Sequence, residues 1–182
     1  MIKNSILKIT QTALLLAILL IIHVITRPYS QLITGSLVNL VLLLGVFLVG
    51  RSWGLILAFI SPLVAFLLGF GPIFIQIVIF VAIANAVYVS LAWWLLHSRI
   101  IKSEEFLLNM SGLILAGLVK TLLLALGLVV LILPLIPGLS EAQRVIISAS
   151  FTWPQLITSL IGGFLALFIV PILSRHNNSR VV

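Results

Sequence analysis

Apolar residues occur in long, nearly uninterrupted runs along this chain of 182 residues. A helix that crosses a lipid bilayer needs about 20 mostly apolar residues, because lipid offers no partners to unpaired backbone groups. Six segments approach that length: 6–25, 35–49, 53–68, 73–96, 106–136 and 154–173. Continuous rather than alternating runs favour helices over membrane β-strands. We therefore predict an all-α membrane protein, a compact bundle of six transmembrane helices forming one domain over residues 1–182. Because the second and third segments are short, five spans are the main alternative.

The composition excludes the other broad classes of protein. Charged residues make up 7% of the chain and hydrophobic residues 63%, whereas soluble domains are about 25% charged. So few charges cannot cover a water-facing surface, and disordered chains are far more polar than this one. The lack of cysteine excludes a secreted domain held together by disulfides.

The basic residues indicate how the helices are oriented. With a cytoplasmic N-terminus, the inner segments hold seven of the ten Lys and Arg residues, namely Lys3, Lys8, Arg51, Arg99, Lys102, Arg175 and Arg180. The outer loops hold Arg27 and Arg144. Since short cytoplasmic loops carry an excess of Lys and Arg, both termini are predicted to be cytoplasmic. This bias explains the net charge of +7 without a nucleic-acid partner. The long outer loop, 137–153, is expected to contain a short surface helix over 140–144.

The residues that most enzymes need are missing from the predicted spans. The chain has no Asp, and its acids, Glu104, Glu105 and Glu141, fall in predicted loops. Acid–base catalysis by paired carboxylates inside the membrane is therefore excluded. The histidines are far apart in sequence, and there is no phosphate-binding P-loop. We expect no enzyme activity, no metal site and no cofactor.

Lys120 lies near the middle of the fifth predicted span. An unpaired ammonium group at that depth costs roughly 3 kcal/mol or more. No predicted span carries an acidic partner, so the partner must be a backbone carbonyl, water in a cavity or an anionic ligand. A lysine that is merely solvated and a lysine that binds a ligand fit the sequence equally well.

Several amide and hydroxyl side chains are predicted to lie between mid-membrane and the outer surface: Asn85, Asn39, Gln76, Gln155 and Thr158. A cavity open to the outside, with Asn85 and Lys120 near its floor, would collect them. Interhelical hydrogen bonding is the simpler explanation for any one of them, and their shared depth is what favours a binding site. Tyr88 and Trp153 are candidates to stack on a flat ligand, with core packing and the interfacial aromatic belt as alternatives.

Ala13 and Ala17 lie four residues apart, on one face of the first predicted helix. Small residues at this spacing let another helix approach closely. That helix belongs either to this chain or to a partner protein.

With these features the chain resembles the membrane-embedded substrate-binding subunit (S component) of energy-coupling factor (ECF) vitamin transporters. The resemblance covers almost the whole chain and rests on small size, six spans, cytoplasmic termini and the A-x-x-x-A pattern of Ala13 and Ala17. It also rests on four stretches: Leu37-Val38-Asn39-Leu40, Ser61-Pro62-Leu63-Val64-Ala65, Ala84-Asn85-Ala86 and Trp153-Pro154-Gln155-Leu156-Ile157-Thr158.

The resemblance implies a multi-pass protein of the bacterial plasma membrane that binds a vitamin at its outer face. Such a subunit docks on a coupling membrane protein with two cytoplasmic ATPase subunits, here through Ala13 and Ala17, and is thought to topple in the bilayer. A site with one cation, several amides and no anion favours a carboxylate vitamin such as pantothenate. Cobalamin or another vitamin precursor is the alternative substrate. A stand-alone small carrier and a structural membrane protein are the alternative functions.

Overall fold

A computed structural model describes residues 2–26, 30–100 and 105–178, with the backbone alone for residues 2, 3 and 175–178. Four residues discussed above, Arg27, Lys102, Glu104 and Arg180, lie outside the described residues.

Within those ranges the chain forms α-helices at all six predicted segments and one more in the long outer loop. The helices are α1 (Ile2–Thr26), α2 (Gln31–Leu44), α3 (Arg51–Leu67), α4 (Ile75–Leu96), α5 (Phe106–Leu122), α6 (Glu141–Ser150) and α7 (Trp153–Asn178). With their continuations, α1, α2, α4, α5 and α7 are long and apolar enough to cross a membrane. Helix α3 is apolar but has only 17 residues. The all-helical membrane architecture is therefore confirmed, with five helices of spanning length and a shorter sixth.

Two of the spanning helices widen before they end. Helix α2 continues as a π-helical turn over Gly45–Val49, and α5 continues as a π-helix over Leu123–Ile132, followed by a 3₁₀ turn over Leu133–Leu135. A π-helix hydrogen-bonds five rather than four residues apart, and such segments are frequent at functional sites. The one in α5 begins three residues after Lys120.

Helices α2 and α7 approach each other closely at Gly162. A Cβ atom placed on Gly162 would lie 2.6 Å from the carbonyl oxygen of Ser36 and 2.8 Å from the Asn39 Cβ. Only glycine allows two backbones to come this close, because any side chain would overlap the facing helix. Gly162 therefore allows the middle of α2 to pack directly against α7.

Helix α1 lies at the edge of the bundle. Of its described side chains only Leu19 and Thr26 are buried, whereas α2 and α4 contribute much of the apolar core. Ala13 and Ala17 are both exposed. One long face of α1 is thus available to lipid or to another protein.

Helix α6 confirms the surface helix predicted over 140–144 and extends it to Ser150. The Ser140 hydroxyl accepts a hydrogen bond from the Gln143 backbone N–H, while the Gln143 side chain accepts one from the Ser140 N–H. This reciprocal arrangement is a capping box. Arg144 donates to the carbonyl oxygens of Leu133 (2.7 Å) and Ile136 (3.3 Å). The arginine thereby holds α6 against the end of the α5 segment.

Candidate functional site

A cavity of about 590 Å³ lies between the helices, at the end of the bundle where α1 and α3 finish and α2, α4 and α7 begin. Its deepest polar side chains, Asn39, Asn85 and Lys120, come from near the middle of α2, α4 and the α5 segment, and we call them the floor. Polar side chains near the helix ends, His23, Thr26, Gln31, Thr34 and Gln155, form the rim. Helix α6 covers part of the opening with Ile146, Ile147 and Ser150.

Lys120 is buried, with 3% of its surface exposed, and lines the cavity floor. Its Nζ donates a hydrogen bond of 2.7 Å to Asn39 Oδ1 and lies 5.2 Å from the centre of the Tyr88 ring. An ammonium group at this distance from an aromatic face is attracted to the ring. The remaining two N–H groups of the ammonium are uncommitted in the described part of the chain.

No carboxylate of the described chain balances the charge of Lys120. The sequence contains no Asp. Glu105 pairs with Arg99 at 3.5 Å, and Glu141 lies 4.0 Å from Arg144, so both acids are engaged elsewhere. An amide and an aromatic ring stabilise a buried cation less well than an anion does. The floor is therefore a positively charged site open to an anionic group.

Asn39 is held in place by α7. Its Nδ2 donates to Thr158 Oγ1 at 3.3 Å, and Thr158 Oγ1 in turn donates to the Gln155 carbonyl at 3.1 Å. The Tyr88 hydroxyl donates to the Ser159 carbonyl at 2.9 Å. Thr158 and Tyr88 are buried behind the cavity wall and do not line it. In this structure Thr158 contacts Asn39, and the Tyr88 ring lies beside the Lys120 ammonium group rather than in the cavity.

Asn85 lines the floor with its amide unpaired. It is 4% exposed, and its side chain has no hydrogen-bond partner among the residues that the structure describes. Ser61 of α3 is in the same situation, with 3% exposed. Buried polar groups without partners are costly, so these two side chains are arranged for water or a ligand.

The rim glutamines share one acceptor. Gln31 Nε2 and Gln155 Nε2 donate to the carbonyl oxygen of Ser150, the last residue of α6, at 2.9 and 3.1 Å. Gln155, a predicted site residue, lines the cavity at its rim. Gln31 was not predicted, because a polar residue at a helix start is ordinarily explained by solvent exposure.

Two predicted residues do not reach the cavity. Gln76 is exposed and points away from it, because nine residues of helix rotate its side chain by about 180° relative to Asn85. Trp153 is the first residue of α7 and is 62% exposed. Its position at a helix end is that of an interfacial belt tryptophan, which was the alternative. Neither Gln76 nor Trp153 therefore belongs to the lining of this cavity.

His23, near the end of α1, also lines the cavity. Its Nδ1 lies 2.8 Å from the Leu19 carbonyl, and its ring is 6.1 Å from that of Phe70. A hydrogen bond to the carbonyl four residues earlier in the same helix is also what a packed histidine makes. Nothing in the sequence around His23 therefore distinguishes the two situations. Among the described residues, no group of three or more His, Cys, Asp or Glu side chains is placed to hold a metal ion.

The comparison with known protein families gives one match. A family model described as "ECF transporter, substrate-specific component" matches residues 7–174. Curated proteins and solved structures give no match.

Proposed function

Because the chain belongs to the family of ECF transporter substrate-specific components, we propose that it captures a carboxylate-bearing vitamin, with pantothenate the first choice. Members of the family are membrane subunits of importers, and the apolar helices of this chain fit that placement. The cavity described above is the proposed binding site. The proposed setting is the bacterial plasma membrane, with the cavity open to the outside.

The observation that carries the proposal is the ammonium group of Lys120, buried at the cavity floor without a counter-charge from the described chain. A carboxylate accepts charge-assisted hydrogen bonds that are shorter and stronger than those between neutral groups. Such a ligand would neutralise the lysine and use its uncommitted N–H groups. A cationic vitamin would meet repulsion instead, since none of the described residues that line the cavity is acidic.

The cavity volume favours a compact vitamin. About 590 Å³ falls within the range of about 300–1,000 Å³ that is usual for small-molecule sites. Pantothenate fits in this volume. Cobalamin is much larger, and it would have to rest mostly on the outer loops.

The orientation of the chain supports capture from outside. Lys8, Arg51 and Arg99 lie at the end of the bundle opposite the cavity opening, at the start of α1, the start of α3 and the end of α4. An excess of basic residues marks the cytoplasmic side. This distribution supports the proposal that the cavity opens at the outer face and that the N-terminus is inside.

Delivery requires partners, which we propose to be the ECF coupling membrane protein and two cytoplasmic ATPase subunits. Ala13 and Ala17 are exposed on α1, which is the least buried of the spanning helices. Small exposed residues four apart let a partner helix approach closely. This face is the proposed docking surface.

Calorimetry on the purified full chain tests the binding step. Pantothenate should bind, and panthenol, in which an alcohol replaces the carboxylate, should bind at least about tenfold more weakly. Lys120→Met should abolish that preference, whereas Lys8→Met, which removes an exposed lysine on α1, should preserve it. Equal binding of acid and alcohol by the unmodified chain would refute the role of Lys120. Uptake into liposomes by this chain alone would favour the stand-alone carrier.

A further inference from the structure

The rim and the floor of the cavity differ in whether donors or acceptors of hydrogen bonds remain available to a ligand. At the floor, Lys120 and Asn85 keep uncommitted N–H groups, and the lysine adds positive charge. At the rim, most hydrogens of the polar side chains are already donated to other groups of the protein. The two ends of the cavity therefore suit different ends of a ligand.

The rim hydroxyls and imidazole are left as acceptors. Thr26 Oγ1 donates to the Ile22 carbonyl at 2.6 Å, and Thr34 Oγ1 donates to Thr26 Oγ1 at 2.7 Å, so both hydroxyl hydrogens are used. A carbonyl can only accept, so the contact between His23 Nδ1 and the Leu19 carbonyl places the hydrogen on Nδ1. The Nε2 atom of the neutral ring is then an acceptor.

The rim glutamines add two amide oxygens. Since the Ser150 carbonyl accepts from both, Gln31 and Gln155 must turn their nitrogens toward it, and this fixes the orientation of both amides. Each Oε1 is left without a partner among the described residues, and each Nε2 keeps one N–H. Helix α6 thus sets the rim, because Ser150 is its last residue.

We propose that the cavity selects an elongated ligand and binds it in one orientation, with its carboxylate at the floor and a hydroxyl- or N–H-bearing end at the rim. This inference rests on the proposed capture of a carboxylate vitamin. In the reverse orientation the carboxylate would meet only one N–H each from Gln31 and Gln155, beside the lone pairs of their amide oxygens and of His23. That orientation would also leave the ammonium group of Lys120 facing a neutral hydroxyl.

The spacing of the two ends sets the length of the ligand. Gln31 and Asn39 are eight residues apart on α2, which corresponds to about 12 Å along the helix axis. An extended chain of eight bonds, such as that from the carboxyl carbon of pantothenate to its terminal hydroxyl, spans about 10 Å. A shorter acid would reach the floor and leave the rim to water.

Three acids and alcohols separate the two contacts. Pantothenate carries both ends and panthenol lacks the carboxylate. N-pivaloyl-β-alanine keeps the carboxylate but lacks both hydroxyls and the chain carbon that bears one of them. Binding of each is measured by calorimetry to the unmodified chain and to a Gln31→Met/Gln155→Met variant. Gln76→Met is the matched control, because Gln76 is exposed and outside the cavity.

We expect the unmodified chain to prefer pantothenate over N-pivaloyl-β-alanine by at least about tenfold, since each lost hydrogen bond weakens binding about fivefold. In the double variant this preference should fall close to unity, while the preference for acid over alcohol remains. Unchanged binding of N-pivaloyl-β-alanine shows that the variant is folded.

Two outcomes would overturn the orientation. The rim variant would keep its preference for the hydroxylated acid, or it would lose its preference for acid over alcohol. Neither of these would affect the test of Lys120 on its own. If pantothenate fails to bind the unmodified chain at all, the substrate proposal is refuted, and this orientation with it.

Discussion

Replacing Gly162 with alanine should displace Asn39 at the cavity floor, because it forces α2 and α7 apart. The added Cβ would lie 2.6 Å from the Ser36 carbonyl oxygen and 2.8 Å from the Leu40 nitrogen, and both are backbone atoms that cannot rotate away. Ordinary contact begins near 3.4 Å, so α2 and α7 must separate by about 0.8 Å. That movement stretches the Asn39–Thr158 hydrogen bond, which is already 3.3 Å long, beyond useful range. Asn39 then no longer holds Lys120 in place.

The size of the effect follows from two opposing terms. Overpacking of this kind costs about 1–3 kcal/mol, whereas Gly→Ala within a helix stabilises by up to about 1 kcal/mol. We expect a net loss of about 1–2 kcal/mol and an approximately tenfold weaker affinity for pantothenate.

Gly163→Ala is the matched control, since it has the same helix propensity gain. Its Cβ would meet Leu113 Cδ1 at 3.1 Å and the Tyr88 hydroxyl at 3.4 Å, both at the far end of a side chain. Thermal unfolding and calorimetry on the two purified variants measure the difference. An apparent Tm lower by about 3–8 °C for Gly162→Ala than for Gly163→Ala is expected. Equal Tm and equal affinity in the two variants would refute the tight α2–α7 contact as the support of the floor.

Three further experiments test the partner surface, the topology and the anchoring of α6. Ala17→Trp should block uptake by the assembled transporter and leave pantothenate binding intact, whereas Ile79→Trp, at an exposed position on α4, should leave both uptake and binding intact. Normal uptake with Ala17→Trp would show that α1 is not the docking face. A cysteine at Ser140 should react with an impermeant reagent in whole cells and one at Ser52 only after lysis, and the opposite pattern would reverse the orientation. Arg144→Met removes the hydrogen bonds to the Leu133 and Ile136 carbonyls, so hydrogen exchange of the α6 amides should become about fivefold faster or more. Unchanged exchange would show that Arg144 does not anchor α6.

The helices of this chain could be predicted because lipid imposes a length and a composition on them. Each predicted segment is helical, and the bounds differ by only a few residues. The surface helix was also predictable, because Ser140 and Gln143 carry a local capping signal that needs no tertiary contact. The orientation in the membrane stays a prediction.

The site was predictable in part. Depth can be counted along a span, and four residues chosen for their depth line the cavity: Lys120, Asn39, Asn85 and Gln155. The direction in which a side chain points from the helix axis cannot be deduced in the same way, because a spanning helix is apolar toward both lipid and protein. Gln76, which was also chosen by depth, does not line the cavity for this reason. Ser61 and His23 were missed because nothing local distinguishes a cavity-lining residue from a packing one.

The central claim is that the ligand carboxylate binds Lys120, and a distance measurement tests it most directly. Solid-state NMR on the chain in lipid, with ¹⁵N-labelled lysine and pantothenate ¹³C-labelled at its carboxyl group, reports the separation of the two nuclei. The signal that is lost in the Lys120→Met variant is assigned to Lys120. A hydrogen-bonded carboxylate predicts an Nζ-to-carbon distance of about 3.5 Å. If pantothenate is bound but the measured Nζ-to-carbon distance exceeds about 6 Å, the carboxylate does not bind Lys120.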